Sequence, residues 1–327
     1  MNKSGKNKPN IESRKAKGYG ILSNILAIVD EVPLGHWKVD AGLNLRQAMM
    51  LNGILFNSEA WHNVSQNDLT LLEKVDEALL RGLLNAHAKI PLEAMFLETS
   101  SIPLRFIVSS RRLIYLHSIL QRNQDEMIRK IYEVQKVDPS PGDFIELIAE
   151  DKDMLGVNMS DLEIGSMSKL KFKKIVKDKT RQAAFVYLQS LKQGHSKMDG
   201  LIYAKFEKAA YMISPLFNGE SVALLLALRT RTVRGIENDF RGMFPVIKCP
   251  LSCGEDDTLQ HVLECSIIPS NHTTSDLTSS DIRYEDVFSS DIIKQKQATE
   301  LYRQLLEVRE NLLNSQPEAL TGPVHRL

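Results

Sequence analysis

All three cysteines of this 327-residue chain fall between Cys249 and Cys265, and a histidine stands among them. The order is Cys249, three residues, Cys253, seven residues, His261, three residues, Cys265. Two thiolates from a tight turn take two corners of a tetrahedron, and residues four apart on a helix take the other two. The segment therefore reads as a structural Zn2+ site, a small CCHC zinc knuckle with Cys249, Cys253, His261 and Cys265 as ligands. Asp257 and Thr258 stand just ahead of Leu259 to Cys265, where an N-cap side chain starts the helix that carries the second ligand pair. The pair Asp256-Asp257 is accordingly read as capping. The competing reading takes the three thiols as small buried apolar groups.

A zinc site of thiols, with no cysteine left over for disulfides, points to a reducing compartment, cytoplasm or nucleus. The apolar fraction of 43% is enough for a real core and, at this length, for two domains or one domain with a satellite. The longest aliphatic run, Val222 to Leu228, is too short to cross a bilayer, so no membrane partner is expected.

The periodicity is helical almost throughout. Ser65 with Asp68 makes a capping-box start, and Leu69, Leu72, Val75, Leu79 and Leu83 then recur at three and four. Pro91, Pro103, Pro139 and Pro141 fall at joints where a new helix opens. The expected fold is mostly α: an elongated helical bundle, then the zinc knuckle, then a C-terminal amphipathic helix. Residues 1–17 read as a basic disordered tail, 18–215 as a helical thumb-like region, and 216–248 as a helical, Arg-rich linker. The knuckle occupies 249–265, a polar linker 266–288, and the last helix with its tail 289–327. That helix presents Ala298, Leu301, Tyr302, Leu305, Val308 and Leu312 along one face, to be buried on the body or on a partner. One short strand pairing is expected around Phe244 to Cys249.

No phosphate-binding glycine loop, HExxH or GxSxG occurs, and His36, His62, His87, His117 and His195 lie far from any ligand-spaced neighbour. No catalytic centre is visible, and no catalytic residue is assigned. Charge balances overall, yet Lys169 to Arg181 holds seven basic residues against Asp178 alone. On a helix, Phe172, Ile175, Val176, Ala183, Val186 and Tyr187 share one side, while Lys173, Lys174, Lys177 and Arg181 share the other; Lys179 falls on the apolar side. Such a helix packs by one face and offers phosphates the other, or its lysines merely solubilise the surface. Arg229, Arg231, Arg234 and Arg241 precede the knuckle, and arginine's planar fork suits phosphate contacts, though Glu237 and Asp239 lie among them.

Several stretches carry a wider resemblance: Gly18 to Ile21, Leu51 to Trp61, Leu72 to Asp76, Ile102 to Phe106, Arg111 to Leu113, His195 to Lys197, Leu228 to Arg231 and the knuckle itself. Over roughly residues 18 to 310 the chain resembles the C-terminal region of reverse transcriptases from non-LTR (LINE-type) retrotransposons. The resemblance implies a helical thumb and linker that grip template RNA or target DNA, with Cys249, Cys253, His261 and Cys265 as zinc ligands of the family's knuckle. The family's finger and palm subdomains, with their catalytic aspartates, have no counterpart here. The implied role is the non-catalytic, nucleic-acid-binding portion of an RNA-directed DNA polymerase, partnered by RNA or DNA and by the missing upstream subdomains. A fragment or a reused binding module is then the expectation for the chain. The alternative is a zinc-stapled scaffold that docks a partner helix on the Ala298 to Leu312 face without nucleic acid.

Overall fold

The N-terminal helices pack around residues that sequence periodicity had placed on one face. The computed structural model describes residues 8–31, 37–61, 64–193, 195–233, 236, 248–268 and 282–315. Helix α1 (Lys8–Glu31) is followed by α2 (Lys38–Leu45), a π turn (Arg46–Met50) and α3 (Leu51–Ile54). Next comes α4 (Gln66–Leu84), against which α1 lies. The expected capping box forms: Ser65 Oγ accepts from the Asp68 amide, and the Asp68 carboxylate accepts from the Ser65 amide. Leu69, Leu72, Val75, Leu79 and Leu83 are all buried.

Lys8 to Lys17 are not a disordered tail; they form the first turns of α1. The physical reason is a small set of anchors within a polar stretch. Ile11 is fully buried, and the Arg14 guanidinium lies 4.8 Å over the Trp61 ring and donates to the Ile54 carbonyl. Gly18 lets the backbone approach: a Cβ there would sit 2.9 Å from Ile54 Cγ2 and 3.0 Å from Val75 Cγ1. Residues 1–7 lie outside the described residues.

The middle of the chain supplies α5 (Leu92–Thr99), α6 (Leu104–Leu120), α7 (Met127–Val137), α8 (Phe144–Leu155), α9 (Asp161–Ser166) and α10 (Lys169–Lys192). Pro91 and Pro103 stand at the N-caps of α5 and α6, where their missing amides cost nothing. Helix α6 is central to this half and packs against α4, α8 and α10. His117 on α6 is a core histidine: its ring stacks on Phe172 at 5.3 Å and its Nε2 meets the Met167 carbonyl.

The C-terminal third contains α11 (Gly219–Arg229), α12 (Leu259–Glu264) and α13 (Ile292–Ser315). Part of the expected polar linker is folded instead, because Ile282, Tyr284 and Val287 within it are buried around a 3-10 turn, Tyr284–Phe288; residues 269–281 lie outside the described residues. On α13, Ala298, Leu301, Tyr302 and Leu305 are buried, and Val308 and Leu312 pack against the same core. That face is therefore occupied by the protein's own body, which removes it as the docking surface of the scaffold reading. Among the described residues no strand forms; the expected pairing is reduced to one antiparallel bridge, Lys248 with Asp256, and residues 244–247 lie outside the described residues. No described helix is long and apolar enough to cross a membrane.

Glu98 joins the middle of the chain to its C-terminal third. It is fully buried on α5 and accepts from Arg229 Nε on α11 (2.9 Å) and from the Tyr203 hydroxyl (2.6 Å). Arg229 Nη1 continues to the Val287 carbonyl (2.9 Å), and the Glu98 carbonyl accepts from the Ala209 amide (2.8 Å). Burial pushes the Tyr203 hydroxyl well above its ordinary pKa, so it stays a donor. Removing one partner leaves the other charge buried and unpaired. Arg229→Met is expected to cost about 3–5 kcal/mol in urea unfolding, far more than exchange of a surface pair.

Candidate metal centre

The ligand loop is shaped by two residues in the left-handed region. The Cys249 carbonyl accepts from the Ser252 amide (2.9 Å), and the Cys249 amide donates to the Glu255 carbonyl (2.8 Å), which folds the loop back on itself. Ser252 (φ 62°) and Gly254 (φ 91°) turn the chain between these bonds. Thr258 then caps α12, its side chain accepting from the His261 amide at 3.0 Å. This is the cap expected from sequence, but Asp256 and Asp257 do other work. Asp256 pairs with Lys248, and buried Asp257 bonds Arg309 on α13.

The result brings the four predicted ligands together. One donor atom from each of Cys249, Cys253, His261 and Cys265 lies within 4.8 Å of all the others. Cys249 Sγ is 4.0 Å from Cys265 Sγ, and Cys253 Sγ is 3.2 Å from His261 Nε2. A tetrahedral ion with metal–sulfur bonds of about 2.3 Å has sulfur–sulfur edges of about 3.8 Å, so the cluster is close enough to hold a metal ion. Cys249 and Cys265 are buried on the core side; Cys253 and His261 are half-buried.

The thiols are not equivalent. Burial pushes Cys249 up to about 11, whereas the backbone amide of Glu255 holds Cys253 below the usual thiol range. A metal ligand is a thiolate, so metal must displace the Cys249 proton. Metal affinity is expected to fall as pH is lowered from 8 to 6, with protons released on binding; a competition titration at several pH values measures it, and a flat profile would show that thiolates are not the ligands.

The predicted phosphate-binding residues divide into three groups. Lys173, Lys174 and Lys177 are exposed on α10, together with Lys169 and Lys171, and none of the five forms an ion pair among the described residues. Arg181 is turned inward on the same helix, donating to the Phe206 carbonyl (2.6 Å) and stacking on its ring. Lys179 borders a groove with Met154, Gln182 and Val186. Arg229 is a structural residue bound to Glu98, and it offers nothing to a polyanion. Arg231 is half-buried with its guanidinium 6.0 Å over the Tyr284 ring; Arg234 and Arg241 lie outside the described residues.

Four carboxylates are buried among the described residues, and each meets an arginine: Asp76 with Arg46, Glu98 with Arg229, Asp151 with Arg112, Asp257 with Arg309. The spacing argument missed all four pairs. For Arg309 a signal existed, since it follows Tyr302 by seven and Leu305 by four and so sits on the apolar face of α13. Comparison with known proteins finds no matching family model, no matching curated protein and no matching solved structure.

Proposed function

We propose that Cys249, Cys253, His261 and Cys265 hold a structural zinc ion in a CCHC knuckle, and that the chain is a non-catalytic nucleic-acid-binding region of a retrotransposon-type RNA-directed DNA polymerase. Three thiolates and one imidazole are the donor set of closed structural zinc sites, which keep no open position for chemistry. The observation that carries the binding half is the lysine row of α10. Five exposed lysines within nine residues have no acidic partner among the described residues. Their helix is fixed by Phe172, Val176, Thr180, Ala184 and Leu188, all buried in the core. A rigid cationic row of this kind gains affinity for a polyanion by releasing counterions. The resemblance to LINE-type thumb and knuckle regions adds the identity of the polyanion, template RNA or target DNA.

The scaffold reading keeps one specific observation in its favour. On α7, Met127, Ile131, Val134 and Val137 are 74%, 50%, 66% and 87% exposed, an apolar stripe at helical spacing that no described element covers. A scaffold would use this face rather than α13.

Binding of single-stranded RNA and of duplex DNA, titrated against salt, separates the two. The polyanion reading predicts that joint Lys173→Glu, Lys174→Glu and Lys177→Glu substitution lowers affinity at least about ten-fold and flattens the log–log salt slope by about two to three. Unchanged affinity and slope would favour the scaffold. For the knuckle, about one zinc per chain is expected by metal analysis, lost in Cys249→Ser; a parent protein without zinc ends that half of the reading.

A further inference from the structure

The ligand loop and α13 meet through polar contacts that a merely adjacent helix would not need. Asp257 lies four residues after Cys253 and four before His261, so it sits between the two halves of the ligand set. It is 2% exposed, and its carboxylate accepts from Arg309 Nη2 at 2.8 Å, with Arg309 itself 4% exposed. Two residues further along, the Leu259 carbonyl accepts from the Tyr302 hydroxyl at 3.1 Å. Leu259, Val262, Leu301, Tyr302 and Leu305 are buried in the same core, and α12 packs on α13.

Neither partner is self-sufficient. Helix α12 has six residues, well below the length at which a helix persists alone, and the loop before it has a single bridge for secondary structure. Its order must come from cross-links, and among the described residues these are the ligand set within the loop, the contacts to α13 and packing on the 3-10 turn Tyr284–Phe288. If the loop opens, Arg309 loses its carboxylate inside the core. If Arg309 is removed, the Asp257 carboxylate is left buried in the middle of the ligand set. The second outcome leaves an uncompensated buried carboxylate.

We infer that Arg309 is a positioning residue for the metal centre, and that metal binding and the docking of α13 are one coupled event. This rests on the metal reading above. The ion holds Asp257 where Arg309 needs it, and Arg309 holds the loop where the ligands converge. Such coupling is reciprocal: the factor by which a docked α13 strengthens metal binding is the factor by which metal strengthens docking.

The experiment uses the full chain. Zinc is competed against a chromophoric chelator for the parent, Arg309→Met, Arg309→Lys and Arg112→Met, and amide hydrogen exchange of residues 292–315 is followed in the parent with zinc and after chelation. Arg309→Met is expected to weaken zinc binding about five- to a hundred-fold, the usual size of coupling between two sites, and Arg309→Lys to recover part of it. Arg112→Met breaks a comparable buried pair on α6 and is expected to leave zinc affinity within about two-fold, which separates coupling from general destabilisation. Chelation of the parent is expected to speed exchange in α13 while amides of α4 stay protected, a result that needs no variant to fold. Parent-like zinc affinity in Arg309→Met, or α13 exchange that ignores chelation of a zinc-loaded parent, would overturn the coupling and leave the knuckle standing. A parent that takes up no zinc overturns both together.

Discussion

The bond between Glu98 and Arg229 is the constraint on which the joining of α5 to the C-terminal third depends. A carboxylate with no solvent exposure needs an opposite charge and hydrogen bonds close by. Here Arg229 and Tyr203 meet one oxygen, and Arg229 extends the same network to the Val287 carbonyl. Helix α5, the segment around Tyr203, helix α11 and the turn before α13 are therefore fixed by one charge. Apolar packing alone permits small slips between helices; a buried guanidinium that bonds a carboxylate through Nε and a backbone carbonyl through Nη1 does not.

The same device recurs in the other three buried pairs. Arg46 to Asp76 ties the π turn to α4 with bonds of 2.5 and 2.6 Å, and Arg112 to Asp151 ties α6 to α8 with bonds of 2.6 and 2.8 Å. Arg309 to Asp257 ties α13 to the ligand loop. Each pair spans 30 or more residues of sequence, so helices that could pack in several registers by periodicity are held in one. Balanced composition has a structural consequence in this chain: part of its arginine is spent inside the core, and the cationic surface on α10 is built from lysine.

What the sequence made legible was local. The capping box at Ser65, the Thr258 cap, the apolar faces of α4 and α13 and the convergence of Cys249, Cys253, His261 and Cys265 follow from residues close to one another in sequence. What stayed hidden was long-range. Arg229 and Lys173 look alike as basic residues beside other basic residues, yet one is bound to a carboxylate 131 positions away and the other has no acidic partner among the described residues. Lys8 to Lys17 looked like a tail because composition cannot see that Ile11 and Arg14 reach a core made by Ile54 and Trp61. Asp257 looked like a cap because its true partner comes 52 residues later.

The ligand cluster is where local and long-range order meet, and the zinc assignment is the claim from which the rest of the functional account is built. X-ray absorption at the zinc edge of the purified full chain tests it most directly. The account predicts a four-coordinate site with three sulfur neighbours at about 2.3 Å and one nitrogen at about 2.0–2.1 Å. A shell of oxygen and nitrogen without sulfur, or no zinc to measure, would contradict it.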